Sequence, residues 1–449
     1  MGLILEDLQA PDRARAAAQS AVHLMHELYP ICRSITGDGV RRSLALLEAT
    51  VGLERHEVPS GTPVFDWEVP REWNIRDAYV ADSSGHRLID FRSHNLHVVN
   101  YSIPVKATLS LEELQPHLHS LPERPDWIPY RTSYYSEDWG FCLRHRDRER
   151  LGPGPFEVVI DSQLRAGHLT YAEAGIEGRG EGEAIVYTHM CHPSLANDNL
   201  TGMAVAAHLA AALRAQRPRL RWRFVFGPGT IGSLTWLARN EAALPRLQAG
   251  LVIGLLGDAG PLTYKRSRRG VSATDRAVEA VLRAEGVASR VSEFEPYGYD
   301  ERQFCSPGFD LPVGRLTRSP NGTYAEYHSS ADDLSIVHVE QLAEAIRVLA
   351  RAIGVLDANR VPVNLSPKGE PRLGKRGLYG SLGGKAPGQL ENALLWVLSL
   401  GDGAHDLVQM AERSGLSFEV LEHATSRLEE AGLVRSYGTQ NHPTPRSLQ

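Results

Sequence analysis

The sequence predicts an α/β protein built on a mostly parallel mixed sheet with helices on both faces. Three observations predict it. Short apolar strands alternate with helical stretches between about residues 165 and 355, the pattern of a sheet assembled from strand–helix units. Residues 62–160 are instead rich in Trp, Tyr, Val and Pro and carry short alternating stretches, which reads as a small inserted β-rich domain. A Pro- and Gly-containing linker then leads to a compact helical tail.

Residues from about 10 to 60 read as helical around Ala16 and Ser43, separated by the turn-rich loop Pro30–Gly39. The β-rich segment shows alternation at Ala78–Asp82, Leu96–Ser102 and Phe156–Asp161. In the α/β region the strands are Ala184–Tyr187, Trp222–Phe226 and Leu251–Gly254, and the helices Met203–Leu213, Ser233–Asn240, Ala273–Glu285 and Val339–Ile353. The linker starts at Val361. Helical stretches at Leu394–Leu400, His405–Ser414 and Ser417–Ala431, then the extended Leu433–Tyr437, read as a winged helix-turn-helix. The expected domains are 1–61 with 161–360, the inserted 62–160, and 372–449.

Composition excludes several classes. The chain has 449 residues, 42% of them hydrophobic and 23% charged, with a formal net charge of -6. No polybasic run supports nucleic-acid or membrane binding, and no apolar run reaches membrane-spanning length. From Arg372 onward there are 8 Lys/Arg and 8 Asp/Glu. A DNA-binding winged helix ordinarily carries a positive excess; the tail is therefore expected to serve assembly, with homo-oligomerisation as the consequence. Four scattered cysteines, Cys32, Cys142, Cys191 and Cys305, form no close-spaced pair, as in a reducing cytoplasm.

The chemistry concentrates in His189-Met-Cys-His-Pro-Ser-Leu-Ala-Asn-Asp198, which links a strand to a helix. Strand ends of open α/β sheets are where such folds place their sites, and imidazole nitrogen with carboxylate oxygen is a zinc donor set. Each residue alone has a plainer use. A His after a strand is most often packed, Asp198 could cap the following helix, Asp258 could shape a turn, and Asp300-Glu301-Arg302 could be a surface ion-pair cluster.

Taken together, several segments resemble a known family. His189-x-Cys-His-Pro-Ser-Leu-Ala-Asn-Asp-Asn-Leu-Thr-Gly202, Pro228-x-Thr-Ile-Gly-Ser233, Tyr299-Asp-Glu-Arg-Gln-Phe304 and Glu326-Tyr-His-Ser-Ser-Ala-Asp332 look like bacterial aminopeptidase-like proteins of polysaccharide and natural-product biosynthesis. Their catalytic domain is similar to that of M28-type zinc aminopeptidases. The likeness extends to Pro30–Gly37, Phe65–Trp73, Pro129–Tyr135, Trp139–Cys142 and Leu373–Tyr379, hence to nearly the whole chain. The resemblance implies His189, Asp198 and His328 as metal ligands, Asp258 as a further ligand or an orienting group, and one zinc ion per chain.

One departure matters. The family's general-base Glu, which activates the attacking water, is here Gly229. Three readings stay open: a zinc-dependent amide hydrolase whose base has moved to Glu301 or Asp300, a metal-retaining enzyme of acyl transfer or condensation, and a catalytically inactive form that binds a ligand or partner. Arg302, Tyr327, Tyr299 and His192 are expected to bind a small-molecule or peptide-like substrate, Arg302 by its bidentate match to carboxylates.

Overall fold

The computed structural model describes residues 4–378 and 388–439; Tyr379 and the last ten positions of the 372–449 segment lie outside them. The eight-stranded sheet comprises β1 (Glu54–Pro59), β2 (His168–Ile176), β3 (Glu183–His189), β4 (Arg221–Gly227), β5 (Leu247–Ile253), β6 (Leu262–Lys265), β7 (Ser289–Ser292) and β8 (Val313–Thr317), in spatial order β1-β2-β4-β3-β5-β8-β6-β7. Its centre, β4-β3-β5-β8, is parallel, whereas β1, β2 and β6 join antiparallel. All seven residues of β3 are buried, as expected of a strand covered on both faces.

Alternate residues of β3 point into two cores. Ala184 and Val186 face a core shared with helices α1 (Pro11–Leu28), α2 (Asp38–Glu48), α3 (Thr201–Arg214), α4 (Ala273–Glu285) and α5 (Val339–Ala358), while Ile185 and Tyr187 face Trp236 and Leu237 of the Ile231–Asn240 helix. The parallel strands all end at the same edge. His189 closes β3, the Pro228–Thr230 turn follows β4, and Asp258 lies five residues beyond β5.

Residues 62–160 supply most of a four-stranded antiparallel sheet, in which Phe156–Arg165 pairs with both Glu72–Ala81 and Val105–Leu109. The alternating Leu96–Ser102 stretch is not a strand. It forms a single turn and isolated bridges, because its polar groups are spent on loop contacts. His97 Nδ1 meets the Cys142 carbonyl at 2.8 Å, and Asn100 Nδ2 donates to the Arg33 carbonyl at 2.8 Å.

The tail folds as expected around three helices, Gln389–Leu400, Leu407–Ser414 and Phe418–Glu430. The linker reading at its start needs correction: Val361–Asn364 is a strand, paired antiparallel with Val434–Tyr437. A two-stranded sheet has only edges, so Pro362 costs it no interior hydrogen bond. Arg276–Asp406 at 2.7 Å, Arg351–Glu419 at 3.0 Å and Arg360–Glu429 at 3.2 Å tie the tail to the sheet domain. The apolar faces of the last two helices are used within the chain, since Leu407, Met410, Leu421 and Leu428 pack with Leu394 and Val397. No helix among the described residues is long and apolar enough to cross a membrane.

Leu349 sits fully buried on α5. Leu349→Ala is expected to lower stability by about 2–5 kcal/mol through lost burial and an unfilled cavity, measured by urea unfolding.

Candidate metal centre

Asp198 is the hub. It is wholly buried in a distorted turn, Ala196–Leu200, ahead of α3; α3 begins at Thr201, so Asp198 does not cap it. His189 Nε2 lies 2.7 Å from Asp198 Oδ1, His192 Nδ1 3.3 Å from the same oxygen, and His328 Nε2 3.1 Å from Oδ2. Burial opposes ionisation of Asp198, but His192, His189 and His328 outweigh it and hold the carboxyl well below its usual range. Burial pushes His189 down to about 4 and lowers His328, so both imidazoles are neutral near pH 7.

Each ligand candidate is held from behind. Asn199 Nδ2 donates to the His189 carbonyl and to Thr188 Oγ1, both at 2.9 Å. The wholly buried Arg33 donates through Nε to the His192 carbonyl at 3.0 Å. His328 adopts a left-handed backbone, φ 55°, uncommon for a side-chain-bearing residue. It is pinned by the Tyr130 N–H on its carbonyl at 2.8 Å and by the Tyr327 ring stacked on it at 3.9 Å.

The donor set fits a zinc ion. His189, His192 and Asp198 each offer one ligand atom, all within 4.8 Å of one another, and His192 Nδ1 is buried without a hydrogen-bond partner among the described residues. Neutral imidazoles and an ionised carboxylate are the protonation states metal binding requires. His192, expected to bind substrate, thus joins the candidate ligand group, while the expected ligand His328 is outside it. Asp258 also lies outside that group: its carboxylate accepts from Asn197 Nδ2 at 2.9 Å, Gly260 N at 2.7 Å and Ser319 Oγ at 2.6 Å.

Asp332 was legible in the sequence only as the end of a motif. It accepts the N–H groups of Asn197 at 2.6 Å and Asp198 at 3.1 Å, and the Tyr324 hydroxyl at 2.8 Å. Burial, then the neighbouring Asp198 charge, pushes its carboxyl up to about 7.

A cavity of about 290 Å³ opens beside this cluster, lined by Trp67, Tyr130, Tyr134 and Tyr135 from the β-rich segment and by His192, Gly229, Tyr299, Arg302 and His328. Arg302 is exposed and makes no ion pair among the described residues, so its fork is free at the mouth. Tyr327 reaches the site through its stack on His328, its hydroxyl accepting from Asn321 Nδ2 at 3.2 Å.

The position of the missing base is filled. A Cβ on Gly229 would overlap the Tyr299 ring. The Tyr299 hydroxyl donates to the Gly229 carbonyl at 3.3 Å, and its ring lies 4.4 Å from that of His189. Burial raises the Tyr299 phenol well above its usual range, so it stays a hydrogen-bond donor. Neither proposed substitute faces the cavity. Glu301 is paired with Lys265 at 2.6 Å and lies 3.8 Å from Arg315; burial opposes its ionisation, but Arg315 and Lys265 hold it low. Asp300 is sealed, both oxygens lacking partners among the described residues, and burial pushes it up to about 8.

The chain as a whole is similar to known proteins. Residues 22–359 match the family described as a domain of unknown function, DUF4910, and residues 360–436 match a winged helix-turn-helix. A Clostridium acetobutylicum protein, described as a candidate polysaccharide biosynthesis protein with an aminopeptidase-like domain, is 46% identical over 92% of this chain and 95% of its own. The crystal structure of a candidate peptidase from the same species superposes with TM-score 0.86 at 44% identity, over 95% of this chain and 98% of that one. The zinc aminopeptidase BSAP of Bacillus subtilis shares the fold, with TM-score 0.55 at 14% identity over 75% of this chain and 94% of that one. The class is thus an aminopeptidase-like α/β domain carrying a C-terminal winged helix. Within it, the chain belongs to the DUF4910 family.

Asp332→Ala frees two backbone donors behind Asp198 and is expected to weaken zinc binding by roughly 10–100-fold, measured by competition with a chromogenic chelator. Folded Asp300 keeps its proton up to about pH 8, whereas an unfolded Asp loses it near 3.9. The folded state therefore binds more protons between those values, and this group's contribution to stability falls as pH rises from about 4 to about 8. Asp300→Asn should flatten that fall in urea melts at pH 5 and pH 8; equal falls in both proteins would show that Asp300 ionises freely.

Proposed function

We propose that the chain is a zinc-dependent aminopeptidase-like enzyme that acts on the amide or related carbonyl of a small biosynthetic intermediate. One observation carries the reading: a buried Asp198, held ionised, with three imidazoles against its carboxylate, two of which, His192 and His328, line an aromatic cavity. His189, Asp198 and His328, with His192, would hold the ion. Bound there, zinc would supply Lewis-acid polarisation of a carbonyl. The name of the Clostridium acetobutylicum relative points to polysaccharide biosynthesis as the context.

The chain's own residues decide how a substrate is held and where protons can go. Tyr130 and Tyr134 offer ring faces to the body of the substrate, and Arg302 offers its guanidinium to an acidic end. The Tyr299 phenol can donate to a substrate oxygen only by releasing the Gly229 carbonyl, and it is no base for water. With no carboxylate at 229, amide hydrolysis lacks the roughly 10²–10⁴-fold that a positioned base contributes. That favours a second reading, acyl transfer to a nucleophile that needs no deprotonation by the protein.

Elemental analysis and turnover of aminoacyl amides, with and without an added amine acceptor, test both. About one zinc per chain, lost in Asp198→Ala, is expected, together with slow hydrolysis that Gly229→Glu accelerates as Tyr299 swings into the cavity. Product formation only with the acceptor would select transfer. Absence of zinc from the parent protein would remove both readings and leave a ligand-binding role.

A further inference from the structure

Beside the metal centre lies a second cavity, about 140 Å³, that the proposed metal chemistry does not use. Its floor is a two-by-two array on neighbouring antiparallel strands. Lys265 of β6 stands opposite Arg315 of β8, and Thr263 stands opposite Thr317. Alternate residues of a strand share a face, so all four side chains line the cavity, while Tyr264 and Leu316 turn to the core. The four are 8%, 5%, 9% and 3% exposed, in the order named.

Like charges directly opposite across strands are unfavourable, and here both are buried. Among the described residues, only one buried carboxylate answers them. Glu301 takes Lys265 at 2.6 Å, whose remaining donors go to the Tyr297 and Glu295 carbonyls at 2.7 and 3.2 Å. Arg315 is left with Glu301 at 3.8 Å, beyond hydrogen-bond reach, and its guanidinium makes no hydrogen bond among the described residues. Glu295 lines the rim, but its side chain is exposed. A buried cation whose donors face a cavity is a costly arrangement unless an anion completes it.

The other lining groups suit an oxyanion. The hydroxyls of Thr263 and Thr317 make only long bonds, 3.4 and 3.3 Å, to local carbonyls. Asn321 Oδ1 is buried without a partner among the described residues. Turning that amide over, a choice the heavy atoms leave open, would aim its NH₂ where Oδ1 now lies and let Oδ1 accept from Tyr327.

The geometry points to an oxyanion-binding subsite, centred on Arg315, for a carboxylate or phosphate group of the substrate. The two cavities share a wall: Tyr297 and Gly298 line this one, and Tyr299 lines the other. Asn321 also connects through Tyr327 to His328. Gly298 lets the Lys265–Glu301 pair lie against the wall, since a Cβ there would make the pair shift. Identifying the anion as part of the substrate rests on the proposed zinc-dependent function; binding of the anion does not.

Calorimetric titration of the full-length, metal-free protein with inorganic phosphate in one arm and malonate in the other tests it. Binding of one of them with Kd of about 1 mM or tighter, weakened at least about tenfold in Arg315→Met and less in Arg315→Lys, is expected; the arm that binds names the group. Arg315→Met relieves the opposed charges but also takes a compensating charge from Glu301, so its melting temperature does not bear on the assignment. If it does not fold, Thr317→Val and Arg315→Lys provide the comparison. No binding in either arm, or equal binding by parent and variants, would overturn the assignment. Zinc content should be the same in all of these proteins, which separates failure here from failure of the metal reading.

Discussion

A buried negative charge organises this protein. Asp198 has no solvent to stabilise it, and isolated carboxylates do not survive such burial in ionised form. Here the charge is met from two sides. Three imidazoles approach its oxygens, and behind it the Asp332 carboxylate fixes the backbone N–H groups of residues 197 and 198. The two carboxylates so close together cannot ionise equally well. Asp198, surrounded by donors, stays low, and Asp332 is driven up to about 7. The turn is therefore built around one carboxylate kept negative, which is what a divalent cation needs.

The sheet makes that arrangement possible. Its central strands are parallel, so their C-terminal ends deliver His189, the Pro228–Thr230 turn and the Asp258 loop to one edge. None of these groups is near another in sequence. The opposite wall comes from the β-rich segment, whose Pro129–Tyr135 stretch lays tyrosines across the opening and donates the Tyr130 N–H to the strained His328. Pulling that segment away would therefore change the geometry of the ligand set as well as the shape of the cavity.

Much of this was legible in the sequence, for definable reasons. Three of the four central parallel strands were visible because burial on both faces leaves unbroken apolar runs, and the His189–Asp198 motif because it is contiguous; β8, interrupted by Gly314 and Arg315, was not. What depends on tertiary contact was not. Nothing local distinguishes His192 as a residue of the cluster, and Asp332 acts on a turn 134 residues away. Leu96–Ser102 alternates like a strand, yet its polar side chains are claimed by loops. Val361–Asn364 was hidden because its partner strand lies about seventy positions on. The sequence showed that position 229 lacks a base; it could not show that an aromatic ring takes the space.

That last exchange changes the electrostatics of the edge as well as its chemistry. A glutamate at 229 would put a negative charge at the cavity wall, where it would repel acidic substrates. Glycine with Tyr299 above it replaces that charge by a neutral phenol. Around it remain Arg302 at the mouth and Arg315 behind the shared wall, while Glu301, the nearest compensating carboxylate, is already engaged by Lys265. Arg315 is close enough for its charge to act on His189 and Tyr327. The absence of a carboxylate at 229 and the nearby cationic donors thus act in the same direction. Both make the edge poorer at taking protons from water and better at holding an anionic substrate still, and positioning alone can supply a large share of a rate enhancement.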